Sequence, residues 1–242
     1  MAFLVPHAPR QPVFHAPMVV LLLIAALVAA HVARTMVPPA QSLAWINQFA
    51  FIPAHYSPAL LSRQGILSGL FLGGLPFLSY MAIHNDYTHL AINCLWLFAF
   101  GPIVARRFGA VLFLLFFMIC GVAGAAAHLA FNLGSMAPVI GASGAISGLM
   151  GAGIRLLPTE RPVWAAQGPP ADAPMLPLCS RQIIMFSLVW AAINLVMGLT
   201  GLGLRGEAGQ IAWQAHLGGY IVGLLLSGVF DRIRPQPVGD QI

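Results

Sequence analysis

The sequence contains no lysine and few charges of any kind: eleven arginines and six carboxylates make up 7% of its 242 residues. A soluble domain is about one-quarter charged. This chain therefore cannot clothe a water-exposed surface, and lipid must be its main solvent. The net charge of +5 does not read as a nucleic-acid surface, because the arginines are scattered and flank apolar runs. Cysteine is scarce as well. Cys94 and Cys120 sit inside apolar runs, Cys179 stands apart, and no pair has CxxC spacing. That excludes a disulfide framework and a thiolate metal knuckle, and leaves the cysteines as small apolar fillers.

What is present is apolar sequence in long runs. A membrane-spanning helix needs about 20 apolar residues. Residues 18–37, 89–106, 110–132, 141–157, 182–204 and 211–230 qualify, the fourth being short and rich in glycine. They predict an all-α, polytopic membrane bundle of six transmembrane helices in a single domain. Its parts are a tail over 1–17, the membrane domain over 18–230 and a second tail over 231–242. The first run has some features of a secretory leader, with Arg10 ahead of an apolar stretch that ends near Ala33. The seventeen residues before it are long for one, so a retained helix is expected.

Six spans put both termini on one side. Arg10, Arg106, Arg107, Arg155, Arg161, Arg181, Arg232 and Arg234 then share that side, against Arg34, Arg63 and Arg205 on the other. The positive-inside rule makes the first side cytoplasmic, as in a bacterial inner membrane. Spans two, four and six consequently run from outside to inside. Residues 38–88 read as a structured outer loop with room for short interfacial helices. Its apolar stretch 65–81 is too broken by Gly and Pro for a span. Residues 158–181 are dense in Pro, Gly and charge and read as a cytoplasmic linker.

Few polar residues remain inside the spans, and none is acidic. Gly141-Ala142-Ser143-Gly144 opens the fourth span. A soluble hydrolase would set its G-x-S-x-G on a strand-to-helix elbow, but position 145 is Ala and no strand precedes. Gly144, Gly148 and Ala152 also give a smooth packing face, a role compatible with a reactive Ser143. His216 lies early in the sixth span, sharing one helical face with Gly219 and Gly223. A membrane histidine is a functional candidate by default, with a structural interhelical bond as the other reading. The second span begins with His84, His89 and Asn93, the last two stacked on one face. A zinc site there would want a carboxylate or a further histidine, and H-E-x-x-H is absent, so no metal is expected.

By topology, Ser143, His216, His89 and Asn93 lie on spans that share one direction. Each is within about six residues of the outer end, roughly 9 Å by helical rise. Independent core polar residues need not agree in depth; four that do agree predict one cavity open to the outside. Its contents suit acyl transfer: a nucleophile, a base and donors for an oxyanion.

With these residues in view the sequence resembles the rhomboid family of intramembrane serine proteases. The resemblance covers about residues 75–230. It rests on His84-x4-His89-x3-Asn93, on Gly141-Ala-Ser143-Gly144, and on Ala215-His216-x2-Gly219-x3-Gly223. It implies Ser143 as nucleophile and His216 as its base, in a dyad without an orienting carboxylate. It implies His89, Asn93 and the Ser143 N–H as oxyanion donors. His84, Gly141, Gly144, Gly219 and Gly223 would support them. Single-pass transmembrane proteins are the implied substrates, with a small residue before the cut and no cofactor. Where many members have Trp-Arg, this chain has Leu75-Pro76, so the first loop lacks that anchor; Arg106-Arg107-Phe108-Gly109 fits the family's cytoplasmic turn.

A non-catalytic relative that binds or escorts membrane segments is the alternative, though it would be expected to have lost Ser143 or His216. A transporter would need polar residues through the full depth, and the inner halves of these spans are nearly all apolar. His128 and Asn132 read as structural or cavity-lining, and Asn194 as an interhelical hydrogen bonder. His7, His15, His31 and His55 are assigned no chemistry.

Overall fold

The computed structural model describes residues 16–57, 73–157, 174–200 and 212–235. Seven helices carry the architecture: α1 (Met18–Thr35), α2 (Pro39–Phe49), α3 (Tyr87–Phe108), α4 (Ala110–Asn132), α5 (Ser143–Leu156), α6 (Arg181–Thr200) and α7 (Trp213–Ile233). Among the described residues the β contact is a single antiparallel bridge between Phe51 and Val139. The all-α expectation holds, and α1, α3, α4 and α6 are long and apolar enough to cross a membrane. The other two expected spans differ. The 14 residues of α5 measure about 21 Å, short of a ~30 Å hydrocarbon layer. α7 is diluted by Gln214, His216 and four glycines. The ends of expected spans five and six, at 201–204 and 211, lie outside the described residues. So do most of the linker, most of each tail, and Arg10, Arg63, Arg161 and Arg205 of the charge count.

The short α5 is the axis of the bundle. All of it but Ser143 and Arg155 is buried, ringed by α3, α4 and α7. Its glycines explain how. A side chain at Gly219 of α7 would run into the carbonyl of Gly144, and one at Gly223 into the carbonyl of Gly148. A Cβ at Gly151 would lie 2.6 Å from the carbonyl oxygen of Tyr220. The two backbones touch, which only small residues permit. On its α4 side, Gly148 receives the buried Cys120, one of the predicted fillers. α1 packs on α3, where Val20 comes within 3.1 Å of a Cβ position at Gly101.

α3, α5 and α7 run in one direction, as the alternation of six spans predicts. At their C-terminal ends Arg107 grips Asp231 through two bonds, 2.6 and 3.0 Å long. Arg155 there donates to the Leu224 carbonyl and the Ser227 hydroxyl at 3.0 and 2.9 Å. α6 stands apart from this core: only Ile183, Trp190 and Gly198 are buried along its length.

The first loop is anchored without Trp-Arg. Phe51 exchanges backbone bonds of 3.0 and 2.8 Å with Val139, and its ring contacts Tyr56, Phe77 and Tyr80. The segment before α5 is tied again where Gly141 N donates to Tyr80 O at 2.9 Å. From α1, Arg34 reaches across and donates to the carbonyls of His84 and Asn85 at 2.7 and 2.9 Å, and to the Ser42 hydroxyl at 2.8 Å. The first loop carries a short helix, α2, none of whose residues is buried.

Candidate active site

Ser143 is the first residue of α5. The N–H groups of a helix's first turn have no intrahelical acceptors and carry the positive end of the dipole. Ser143 thus presents a hydroxyl beside unpaired backbone donors. His216 enters from the first turn of α7, held close by the glycine contact between the helices. Its Nε2 lies 2.7 Å from the Ser143 Oγ. The two residues singled out as nucleophile and base are therefore in hydrogen-bond contact, 73 positions apart in sequence.

The N-terminus of α3 supplies the opposite wall. Asp86 caps the helix, its carboxylate accepting from His89 N at 2.8 Å. That backbone bond, followed by the Asn85 side chain, holds the Asp86 carboxyl below the usual carboxylate range. The cap fixes the first turn and with it the His89 ring. Asn85 N makes a long 3.5 Å contact to His89 Nδ1, which leaves the ring proton on Nε2. That edge faces Gly141: a Cβ there would lie 2.7 Å from both Nε2 and Cε1 of His89, and 3.9 Å from Asn93 Nδ2. Gly141 also has φ of 104°, a left-handed backbone that favours glycine. Asn93 is buried and spends one amide proton on the His89 carbonyl at 2.9 Å, keeping its second N–H. The family-derived donors, His89 and Asn93, thus gather at the strand-like approach to Ser143.

A cavity of about 530 Å³ joins these groups, lined by His89, Asn93, Ser143 and His216 with Trp96, Phe100 and Trp190 among its apolar wall. An apolar pocket with a few convergent polar groups is the usual form of a binding or active site. Among the described residues no cluster of His, Cys, Asp or Glu could hold a metal ion.

The supporting residues divide. Gly144, Gly219 and Gly223 form the α5–α7 contact, and Gly141 makes room for His89. His84 is fully buried behind the site, its ring 5.2 Å from that of His89 and 6.5 Å from that of His31. His128 and Asn132 bond to each other's residue, Asn132 Nδ2 donating to the His128 carbonyl at 2.9 Å, and do not line the cavity.

Two contributors were not recognised from sequence, and a third, read as an interhelical hydrogen bonder, only in part. Asn194 of α6 lines the cavity and touches His216 directly, at 2.7 Å from Nδ1; its polarity in an apolar run was visible but its partner was not. Arg34 entered only as a topological charge, yet it holds the segment carrying His84. Asp86, followed three residues later by the first functional side chain, had the signature of an N-cap.

Residues 65–232, well over half of the chain, match the family model described as Rhomboid domain. The chain is 30% identical over 170 residues to Rhomboid protein 1, mitochondrial, of Saccharomyces cerevisiae, covering 69% of this chain and 43% of that protein. It is 29% identical over 161 residues to Rhomboid protease AarA of Providencia stuartii, covering 61% of this chain and 52% of that one. A shorter match to Rhomboid protease GluP of Bacillus subtilis reaches 40% over 75 residues, 31% of this chain and 14% of that one. The chain spans about half the length, or less, of these curated relatives.

Proposed function

The chain belongs to the rhomboid family, and on that premise we propose that this integral membrane protein is a serine endopeptidase that cuts transmembrane segments. The observation that carries the proposal is the 2.7 Å contact between His216 Nε2 and Ser143 Oγ, opening onto a cavity between helices. The protease names of two relatives support it further.

In this reading a single-pass substrate unwinds near the outer membrane face and lies in the cavity as an extended strand. His216 Nε2 takes the Ser143 proton while Oγ bonds to the scissile carbonyl carbon. The carbonyl oxygen becomes an oxyanion, met by His89 Nε2–H, the free Asn93 N–H and the Ser143 backbone N–H. Each such donor is worth on the order of 10²–10³ in rate. Collapse of the intermediate breaks the C–N bond, and the amine leaves with the proton from His216. Water then bonds to the acyl carbon as His216 takes its proton; the ester bond to Ser143 Oγ breaks, Oγ takes that proton back from His216, and the new carboxyl end is released. No cofactor takes part. With its Arg155 end near the inner side, the short α5 leaves Ser143 about 9 Å below the outer face of a ~30 Å layer, and the cavity it lines supports access for water. The arginine distribution supports a reading in which the Ser143 side is the outer one and both termini are cytoplasmic in a bacterial inner membrane. The same reading assigns residues 1–17 and 231–242 to cytoplasmic tails.

The test is cleavage of a single-pass reporter in vesicles by purified protein. Wild type is expected to cut, and Ser143→Ala and His216→Ala are not. Cleavage retained by either variant contradicts the assignment. An intact reporter with correctly folded wild type would instead favour a binding or escort role.

A further inference from the structure

His216 has two ring nitrogens, and the dyad uses one. The other, Nδ1, lies 2.7 Å from Asn194 Oδ1 on α6. The identity of the Asn194 atoms is fixed by a second contact. Its Nδ2 donates to the Trp190 carbonyl at 2.9 Å, one turn back on the same helix. A carbonyl can only accept, so the NH₂ group must face Trp190 and the amide oxygen must face His216. An amide oxygen also only accepts. His216 Nδ1 must then carry the proton, and in the neutral ring Nε2 must hold the lone pair. That is the tautomer in which the nitrogen facing Ser143 Oγ can take a proton.

We propose that Asn194 is the positioning residue of a Ser143–His216–Asn194 relay, selecting the catalytic tautomer of His216 from a neighbouring helix. The inference rests on the serine-protease reading and adds a third member to the dyad, an uncharged one. Its role resembles that of an orienting carboxylate in chemistry: fix the ring, hold Nδ1–H, and stabilise the imidazolium formed during attack. An amide does so without placing a charge in an apolar site, where a lone carboxylate is expensive.

The location of Asn194 gives the relay a further property. α6 is the helix with the fewest buried residues in the bundle's long elements, and it meets α7 through side chains: Asn194 on His216, the Ser187 hydroxyl 2.7 Å from the Tyr220 hydroxyl, and Trp190 stacked on Tyr220 at 4.3 Å. The tautomer of the base is therefore set only while α6 is docked on α7.

Two measurements test the proposal. The first is the ¹⁵N spectrum of histidine-labelled protein in bilayers, with His216 identified by its loss in His216→Ala. Wild type is expected to show a single Nδ1–H tautomer, and Asn194→Leu a mixture. An Nε2–H tautomer in wild type, or an unchanged spectrum in Asn194→Leu, overturns the proposal. The second is reporter cleavage. Asn194→Leu is expected to lower kcat by about tenfold to a hundredfold with KM within about twofold, a part of the 10²–10⁴ that a positioned base contributes. Asn194→Asp, which keeps an acceptor of the same reach, is expected to recover most of that loss. A merely structural contact predicts instead that Asn194→Asp behaves as Asn194→Leu does. Wild-type kcat in Asn194→Leu, alongside an inactive Ser143→Ala, overturns the relay and leaves the protease reading standing. Cleavage that survives in Ser143→Ala overturns the protease reading, and the nitrogen spectra still decide the Asn194 contact.

Discussion

On the side facing α5, α7 presents Gly219 and Gly223, and the two backbones meet with no side chain between them. Toward α6 it presents Tyr220 and the Nδ1 edge of His216, whose Nε2 edge meets Ser143 of α5, and the contact runs through hydroxyls, an amide and stacked rings. The first interface has nowhere to yield, since a methyl group at either glycine overlaps a carbonyl. The second is made of side chains that can part and re-form. The nucleophile and the base stand across the rigid interface, which sets their separation. The partner that orients the base stands across the adaptable one. Distance and orientation at the candidate site are thus controlled by different helices.

Breaking the rigid side should cost most. Gly219→Val forces a branched side chain into the Gly144 carbonyl, and overpacking of this kind costs about 1–3 kcal/mol or more. Denaturant titration in detergent micelles is expected to show that loss, with reporter cleavage abolished. Wild-type stability would show that the close backbone contact is not required. Next is the oxyanion wall, which the rigid core also carries. Asn93→Ala is expected to lower kcat about 10²–10³-fold with little change in the unfolding midpoint.

A smaller effect is expected at the cap that fixes α3. Asp86→Ala should destabilise the protein by about 1 kcal/mol. The Asp86 carboxyl is held below its ordinary value in the folded protein, so its contribution is complete above the unfolded-state value and is lost as pH falls through the lower, folded-state value. The stability difference between wild type and Asp86→Ala should accordingly hold at neutral pH and close only in strong acid. In stability the adaptable side is expected to be the least sensitive. Tyr220→Phe removes the bond to Ser187 and should cost about 0.6 kcal/mol, the average for interhelical hydrogen bonds in a membrane. A loss as large as that of Gly219→Val would erase the distinction between the two faces.

The sequence made the helices legible because long apolar runs demand them, and the parallel course of α3, α5 and α7 followed from counting six alternating spans. Ser143, His216, His89 and Asn93 were legible because each is a polar residue near the same end of an apolar run. The contacts that crossed the chain were not. Arg34 meets the His84 carbonyl 50 positions away, and nothing in its neighbours separates that role from a topological charge. Asn194 announced itself as a bonder between helices, but His216 was one of several possible partners and only packing selects it. The anchor of the first loop was expected to be weak because one motif was missing. An aromatic cluster around Phe51 takes its place, and aromatic residues in an apolar chain give no advance sign of where they will gather.

The most direct measurement of the central claim is covalent labelling of the folded protein with a fluorophosphonate, located by mass spectrometry. A hydroxyl activated by His216 is expected to give one adduct, on Ser143, and His216→Ala should reduce its rate of formation by at least about 10²-fold, the lower range for a positioned base. Labelling at the same rate without His216, or an adduct on another residue while Ser143 stays unmodified, would contradict the account.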